Sequence, residues 1–241
     1  MTAVRPPEYF PRLAYAALLL AVERFVLADT FPFSRQGWQN RTRIRTPGGD
    51  GRQWLTAPRR HTEAGAPLLA LPLDHGTPWA RTHSRALRYN YGMAPFYEHY
   101  RAGVEELLGR AWPSLGALTA ATVRWTARQL GAEAEVVCAS DLPGVPETLP
   151  AVWVALGEPA LGAPAVLGTL PESAERDAER LAAYGPTVRV LCFDEPARRQ
   201  NFPGFVGDLG VLDLLFNHGP AAADMLRDGV AGWREVRVPR P

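Results

Sequence analysis

Asp29 follows directly on an apolar segment and is the first residue whose position suggests chemistry. Residues 24–28 read RFVLA, which is typical of a short buried strand. In parallel α/β sheets, polar side chains just past the carboxyl end of a strand point into the ligand crevice. The alternative is that Asp29 only caps the following turn. The position therefore predicts a ligand-binding or proton-handling carboxylate, with turn capping as the competing interpretation.

A second group of polar side chains lies in residues 31–46, which alternate with a period of two and precede the turn sequence PGGDG. Together with residues 51–58 they predict a β-hairpin. One face of the first strand carries Trp38, Asn40, Thr42 and Ile44, and the other carries Gln39, Arg41, Arg43 and Arg45. An arginine-rich face suits a phosphate or a carboxylate. A solvated basic face on an edge strand is the competing interpretation.

These residues need a scaffold, and the pattern of elements predicts one. A helix is expected over residues 13–24 and another over residues 114–131, begun by Ser114 and closed by Gly131. Strand, helix and strand recur in that order, which favours parallel pairing with crossover helices. We therefore predict a single α/β domain over residues 1–241. Its sheet should be mainly parallel and flanked by helices, with the hairpin in the N-terminal half and a helical middle segment. Residues 141–150 are expected to be a long surface loop.

Composition excludes several classes of function. The chain has 26 basic and 25 acidic residues and a formal net charge of +1, so nucleic acid is not expected as a partner. Every basic residue other than histidine is arginine. The absence of lysine excludes a Schiff-base lysine, a pyridoxal-phosphate lysine and a P-loop lysine. The sequence contains no metal-ligand cluster, no GxGxxG fingerprint and no GxSxG elbow, so no metal or cofactor is predicted.

The cysteines and the apolar segments indicate the cellular compartment expected for the protein. Cys138 and Cys192 each lie in an apolar run, which predicts buried free thiols rather than a disulfide or a nucleophile. The longest apolar stretch, residues 13–22, is about half of what a bilayer requires. It is also a poor export signal. These features predict a cytoplasmic protein without a membrane span.

Six segments of the sequence, taken in order and with their spacing, resemble the WbqC-like family across almost the whole chain. They are YFPRLAYAALLLAVERFVLADT, SRQGWQNRTRI, QWLTAP, WARTHSRALRYNYGMAPFYEHY, LGALTAATVRWTARQLG and QNFPGFVGDLGVLDLLFNHGP. The family occurs in O-antigen and capsule gene clusters. The resemblance implies transfer of glycine or another acyl group to a nucleotide-activated amino sugar during polysaccharide biosynthesis.

The resemblance also implies a set of site residues. His83, Asp29 and Asp213 are the expected catalytic residues, with His83 as general base and an aspartate orienting it. The expected substrate-binding residues are Trp38, Asn40, Arg41, Tyr91, Gln200 and Asn217. Their convergence on one pocket in the folded chain is the expectation that a structure tests most directly.

The chain departs from the family pattern at three places. Gly210 stands where a serine is usual, Asp208 stands where an asparagine is usual, and TLPESAERD replaces a glycine-tyrosine segment. Two alternatives therefore stay open. One is a non-catalytic nucleotide- or sugar-binding protein, and the other is a nucleotidyltransferase-like enzyme that binds phosphates at a helix N-terminus. The missing HxxH-type pair weighs against the latter.

Overall fold

The computed structural model describes residues 1–35, 37–62, 65–157 and 166–236. The sequence also predicts a strand or short helix over residues 151–162 and strands over residues 164–169 and 234–239, and these three stretches lie partly outside the described residues.

Eight strands and eight helices are present in the described part of the chain. The strands are β1 (Thr2–Arg5), β2 (Arg24–Leu27), β3 (Arg41–Arg45), β4 (Arg52–Thr56), β5 (Glu135–Cys138), β6 (Val166–Thr169), β7 (Thr187–Phe193) and β8 (Val230–Val236). The helices are α1 (Leu13–Ala21), α2 (Trp79–Tyr91), α3 (Tyr97–Gly109), α4 (Leu115–Gln129), α5 (Leu149–Ala155), α6 (Ala174–Leu181), α7 (Val211–His218) and α8 (Ala222–Asp228).

Six strands form one sheet in the order β5-β2-β1-β6-β7-β8. All neighbouring pairs are parallel except β7 with β8, which is antiparallel. The strands β3 and β4 form a separate antiparallel hairpin, with Arg43 opposite Trp54. The predicted α/β class, the mainly parallel sheet and the hairpin are confirmed.

Side chains alternate between the two faces of this sheet and create two cores. Ala3 of β1 and Phe25 of β2 face the core that contains α1 and α4. Val4 and Val26, one residue further along each strand, face the core that contains α5 and α6. This alternation follows from the period of two along a strand. Helices therefore cover both faces, as a parallel sheet requires.

Several boundaries differ from the sequence-based expectations. The strand β1 was not expected and lies directly before the proline-containing residues 6–11. The helix predicted for residues 13–24 ends at Ala21 because Arg24 already belongs to β2. The expected loop over residues 141–150 ends early because Thr148 caps α5, with its hydroxyl accepting from the backbone of Ala151. The predicted start of α4 is confirmed, since the Ser114 hydroxyl accepts a hydrogen bond from the Ala117 backbone N–H at 3.2 Å, and the helix ends at Gln129, two residues before Gly131.

Two kinds of structural feature are absent from the described part of the chain. Within the described ranges, no helix is long and apolar enough to cross a membrane. The same ranges hold no group of three or more histidine, cysteine, aspartate or glutamate side chains arranged to bind a metal ion.

Candidate functional site

The topology creates a crevice between β1 and β6. The connection after β1 leads to α1 on one face of the sheet, whereas the connection after β6 leads to α6 on the other face. Ligands of open α/β sheets bind where neighbouring connections diverge in this way, outside the carboxyl ends of the strands. A cleft of about 460 Å³ lies at this point, and we call it the switch-point cleft.

Charged side chains dominate the lining of the switch-point cleft. They are the four arginines Arg5, Arg12, Arg176 and Arg180 and the three carboxylates Glu8, Glu172 and Asp177. Trp38 and Gln39, from the segment before β3, complete the wall. Arg176 and Arg180 are exposed and form no ion pair with any described residue. The cleft therefore offers two uncommitted cations to an anionic ligand.

The inner part of the cleft is a connected network. Arg5 donates to Glu172 at 2.8 Å and to the hydroxyl of Ser173, while its Nε is buried without a hydrogen-bond partner. Arg12 donates through Nε to Glu8 at 3.0 Å and also pairs with Glu172. Thr169, the last residue of β6, donates to Asp177 at 2.6 Å. These bonds fix the carboxylates in position because each has an arginine or hydroxyl partner.

Glu8 and Glu172 respond differently to this environment. Burial raises the pKa of Glu8, and the attraction of Arg12 offsets only part of that effect. Burial also opposes ionisation of Glu172, but Arg12 and Arg5 outweigh it and lower the pKa of that carboxyl. When two neighbouring carboxyl groups differ in this way, the one with the raised pKa is the usual candidate for proton transfer. In this cleft that carboxyl is Glu8.

The predicted site residues fall into separate groups. Trp38 lies in the switch-point cleft, whereas Asp29 lines a different cavity, which involves α3 and α4. Asn40 donates to the carbonyl of Ala57 at 3.2 Å and fixes the base of the hairpin. Arg41 packs over the ring of Trp54, with its guanidinium carbon 4.3 Å from the ring centre. The structure does not bring these residues together in one pocket, in contrast to the expectation from the sequence.

Four other predicted residues do come together, in a buried network around Asp213. The Asp213 carboxylate accepts from Tyr91 at 3.1 Å and from Gln200 at 2.9 Å. It also accepts from Arg198 at 3.0 Å, and the side chains of both partners are fully buried. The Asn217 side chain donates to the Asp213 backbone carbonyl at 2.8 Å. Because the carboxylate is sealed in and all these donors point at it, the network fits an anchor of the chain rather than a substrate site.

His83 is also buried, at 4% exposure. Its Nδ1 lies 2.9 Å from the hydroxyl of Tyr9. Burial lowers the pKa of His83 to about 4, so the imidazole is neutral at physiological pH. His83 lines neither of the two cavities described above. Its role as general base stays a prediction, and its geometry fits better with positioning the Glu8–Tyr9 segment.

The buried imidazole predicts a pH-dependent stability. Because the folded-state pKa of about 4 lies below the ordinary 6.5, the unfolded chain binds more protons between these values. The His83 contribution is therefore complete above about pH 6.5 and lost as the pH falls towards 4. We expect a loss of roughly 2–4 kcal/mol in unfolding free energy over that window, measured by urea unfolding. In His83→Gln this histidine-dependent part of the pH slope should disappear. An unchanged slope in that variant would contradict the assignment.

Sequence reasoning missed most of the residues in the switch-point cleft. Arg5 ends β1 and Glu8 lies in the connection that follows this strand, and neither residue is among the candidates drawn from the sequence. Glu8 and Arg12 are four residues apart, and this spacing was the available signal of an ion pair. Arg176 lies in the segment that departs from the family pattern, and Arg180 follows it by one helical turn.

Two of the departures from the family pattern have a structural cause. A Cβ atom at position 210 would overlap with the hydroxyl of Thr42, so serine does not fit there. The backbone N–H of Gly210 donates to the carbonyl of Arg43 at 2.8 Å. Asp208 has a positive φ of 60°, which aspartate tolerates, and its carboxylate pairs with the Arg43 side chain. Both changes adapt the chain to its own hairpin and leave the switch-point cleft untouched.

Comparison with known proteins gives one family and one relative. The model of the WbqC-like protein family matches residues 6–225. The uncharacterized protein Rv1507c of Mycobacterium tuberculosis is 29% identical over 234 residues, covering 93% of this chain and 96% of the relative. No solved structure matches significantly. The family match spans Glu8, Arg12 and Trp38 as well as the Asp213 network, whereas Arg5 of the cleft lies just before the matched region.

Proposed function

Because the chain belongs to the WbqC-like protein family, we propose that it transfers an acyl or aminoacyl group to a nucleotide-activated amino sugar in surface polysaccharide biosynthesis. The observation that carries the proposal is the switch-point cleft with its four arginines and its buried Glu8. A nucleotide sugar combines a diphosphate, an aromatic base and polar hydroxyls, and this cleft contains a partner for each.

The outer part of the cleft suits the diphosphate. Arg176 and Arg180 are one helical turn apart on α6 and face the cleft together. Arginine forks match phosphate geometry better than point charges do. Trp38 offers an aromatic ring on the opposite wall, which suits stacking of a base or a sugar.

The inner part suits the amine. In the proposed step the sugar nitrogen forms a bond to the acyl carbon of an activated donor. The bond from that carbon to the leaving group breaks, and the leaving group departs with its electron pair. Glu8 receives the proton of the amine, because its raised pKa brings its proton affinity closer to that needed for exchange near neutrality. His83 holds Tyr9, the neighbour of Glu8, and acts as a positioning residue in this scheme.

Binding of uridine diphosphate and of UDP-glucosamine, measured by calorimetry, tests the ligand class. Arg176→Gln and Arg180→Gln should each weaken both ligands about tenfold, since hydrogen bonds between charged groups are worth ~1.5 kcal/mol. Both side chains are exposed, so the variants should fold normally. Arg85→Gln, an exposed arginine on α2, is the matched control and should bind like the unmodified protein.

Turnover separates the transferase from a binding protein. The protein is incubated with UDP-glucosamine and activated glycyl or acetyl donors, and the product is followed by mass spectrometry. Tight binding without any acylated product would favour the non-catalytic sugar-nucleotide-binding alternative. Absence of nucleotide binding altogether would remove the proposal.

A further inference from the structure

A second cavity lies on the opposite face of the sheet from α6. It has a volume of about 490 Å³ and is bordered by α3, α4 and the carboxyl ends of β2 and β5. We call it the helical cavity. Its buried lining includes Asp29, which follows β2, and Cys138, which ends β5. Arg110, Arg124 and Arg128 line it closer to solvent.

Asp29 has capacity for a further partner. Ser140 donates to its carboxylate through the backbone N–H at 3.0 Å and through the hydroxyl at 2.6 Å. A carboxylate has about four acceptor positions, so about two are open. No described residue forms an ion pair with Asp29, although its exposure is only 6%. A buried carboxylate without a cation is a receptor for a positively charged group.

The neighbouring cysteine does not compete for that cation. Burial raises the pKa of Cys138 to about 11, and the thiol therefore stays neutral. Arg124 donates to the Cys138 sulfur at 3.1 Å and also approaches Asp141 at 3.8 Å. The buried end of the helical cavity thus presents the carboxylate of Asp29 as its negative charge.

The outer end has the opposite charge. Arg124 and Arg128 are one turn apart on α4, so both lie on the face that borders the cavity. Arg128 forms no ion pair with any residue in the described ranges. Arg110 packs over Trp112, with its guanidinium carbon 4.5 Å from the ring centre. These guanidinium groups are available to an anion near the surface.

We infer that the helical cavity is a second binding site, which takes a small ligand carrying both an ammonium and a phosphate group. Its ammonium would bind Asp29, and its phosphate would bind Arg124 and Arg128. This site is separate from the switch-point cleft, because the two cavities share no lining residue. The pairing of a buried carboxylate with outer arginines is an independent observation that selects ligands carrying both charges.

Phosphoethanolamine carries the same two charges and serves as the probe. Ethyl phosphate lacks the ammonium, and ethylamine lacks the phosphate. Ligand-detected NMR or calorimetry should show that phosphoethanolamine binds about tenfold more tightly than either fragment. Asp29→Asn keeps the shape and the bonds to Ser140 and should abolish this preference over ethyl phosphate. Arg128→Gln, on an exposed side chain, should weaken both phosphate compounds by a similar factor.

Controls separate this inference from the proposed function. Arg176→Gln, in the switch-point cleft, should leave phosphoethanolamine binding unchanged while weakening uridine diphosphate. Asp29→Asn should do the reverse, and its thermal midpoint reports whether it folds. Equal affinity of the unmodified protein for phosphoethanolamine and ethyl phosphate would overturn the inference, as would Arg128→Gln binding both as well as the unmodified protein. If the unmodified protein did not bind uridine diphosphate, the proposed function would be refuted, whereas this inference would not be affected.

Discussion

Replacing Asp213 by alanine should reduce the free energy of unfolding by roughly 3–5 kcal/mol, the range measured when one partner of a buried ion pair is removed. The Arg198 guanidinium would keep Glu195, at 2.8 Å, as its remaining carboxylate partner. The donors on Tyr91 and Gln200 would each lose an acceptor, because the Asp213 side chain to which they donate is fully buried. Urea unfolding monitored by tryptophan fluorescence measures the change.

A surface ion pair of the same type provides the control. Asp224 accepts from Arg227 at 2.8 Å, but both side chains are more than half exposed. Asp224→Ala should therefore cost less than about 1 kcal/mol. If Asp213→Ala were as mild as this control, the network would not anchor the chain. A double variant with Arg198→Met and Asp213→Leu should be less destabilised than Asp213→Ala, because it also removes the buried Arg198 charge, which Asp213→Ala deprives of one of its two carboxylate partners.

Glu8→Gln should lower kcat of the acyl transfer by about 10²–10⁴, the usual contribution of a positioned general base. The amide has the same size and keeps one of the two hydrogen bonds that Arg12 donates through its Nε and its backbone N–H, but it takes no proton. The rate of the unmodified enzyme should fall as the pH drops through the raised pKa of Glu8, because only the carboxylate is active. This acidic limb should vanish in the variant, and KM for the nucleotide sugar should change little.

Glu172→Gln is the matched control for this experiment. Glu172 shares Arg12 with Glu8, yet its pKa is lowered and its side chain is 45% exposed. Its replacement should change kcat by less than about tenfold and keep the acidic limb, displaced to lower pH because the charge of Glu172 helps to raise the pKa of Glu8. Equal kcat values for Glu8→Gln and the unmodified enzyme would exclude Glu8 as the base.

Much of the fold follows from local patterns. The alternation of apolar strands and amphipathic helices indicated the α/β class, and the PGGDG turn indicated the hairpin. The cap at Ser114 fixed the start of α4. The strand β1 was not predicted, because it has only four residues and stands directly before two prolines. Its buried position in the sheet comes from pairing with β2 and β6, which are distant in sequence.

The site was harder to predict for a related reason. Whether a polar residue enters a cleft depends on the face of the sheet to which its connection leads, and spacing along the chain does not reveal that. Asp29 and Trp38 are nine positions apart, yet they line different cavities. Polar residues shared with a family pattern also need not touch a ligand. Tyr91, Gln200 and Asn217 converge on Asp213, but they do so in the interior.

The hairpin is attached to the rest of the molecule at several distant points. Thr42 donates to the carbonyl of Phe10 at 2.8 Å, and the backbone of Arg45 donates to the hydroxyl of Tyr91 at 2.7 Å. These attachments join β3 both to the connection after β1 and to the Asp213 network. Local opening of that interior network would therefore release the wall that carries Trp38 in the same event. We therefore expect the shape of the switch-point cleft and the stability of the Asp213 network to depend on the same cooperative folding unit.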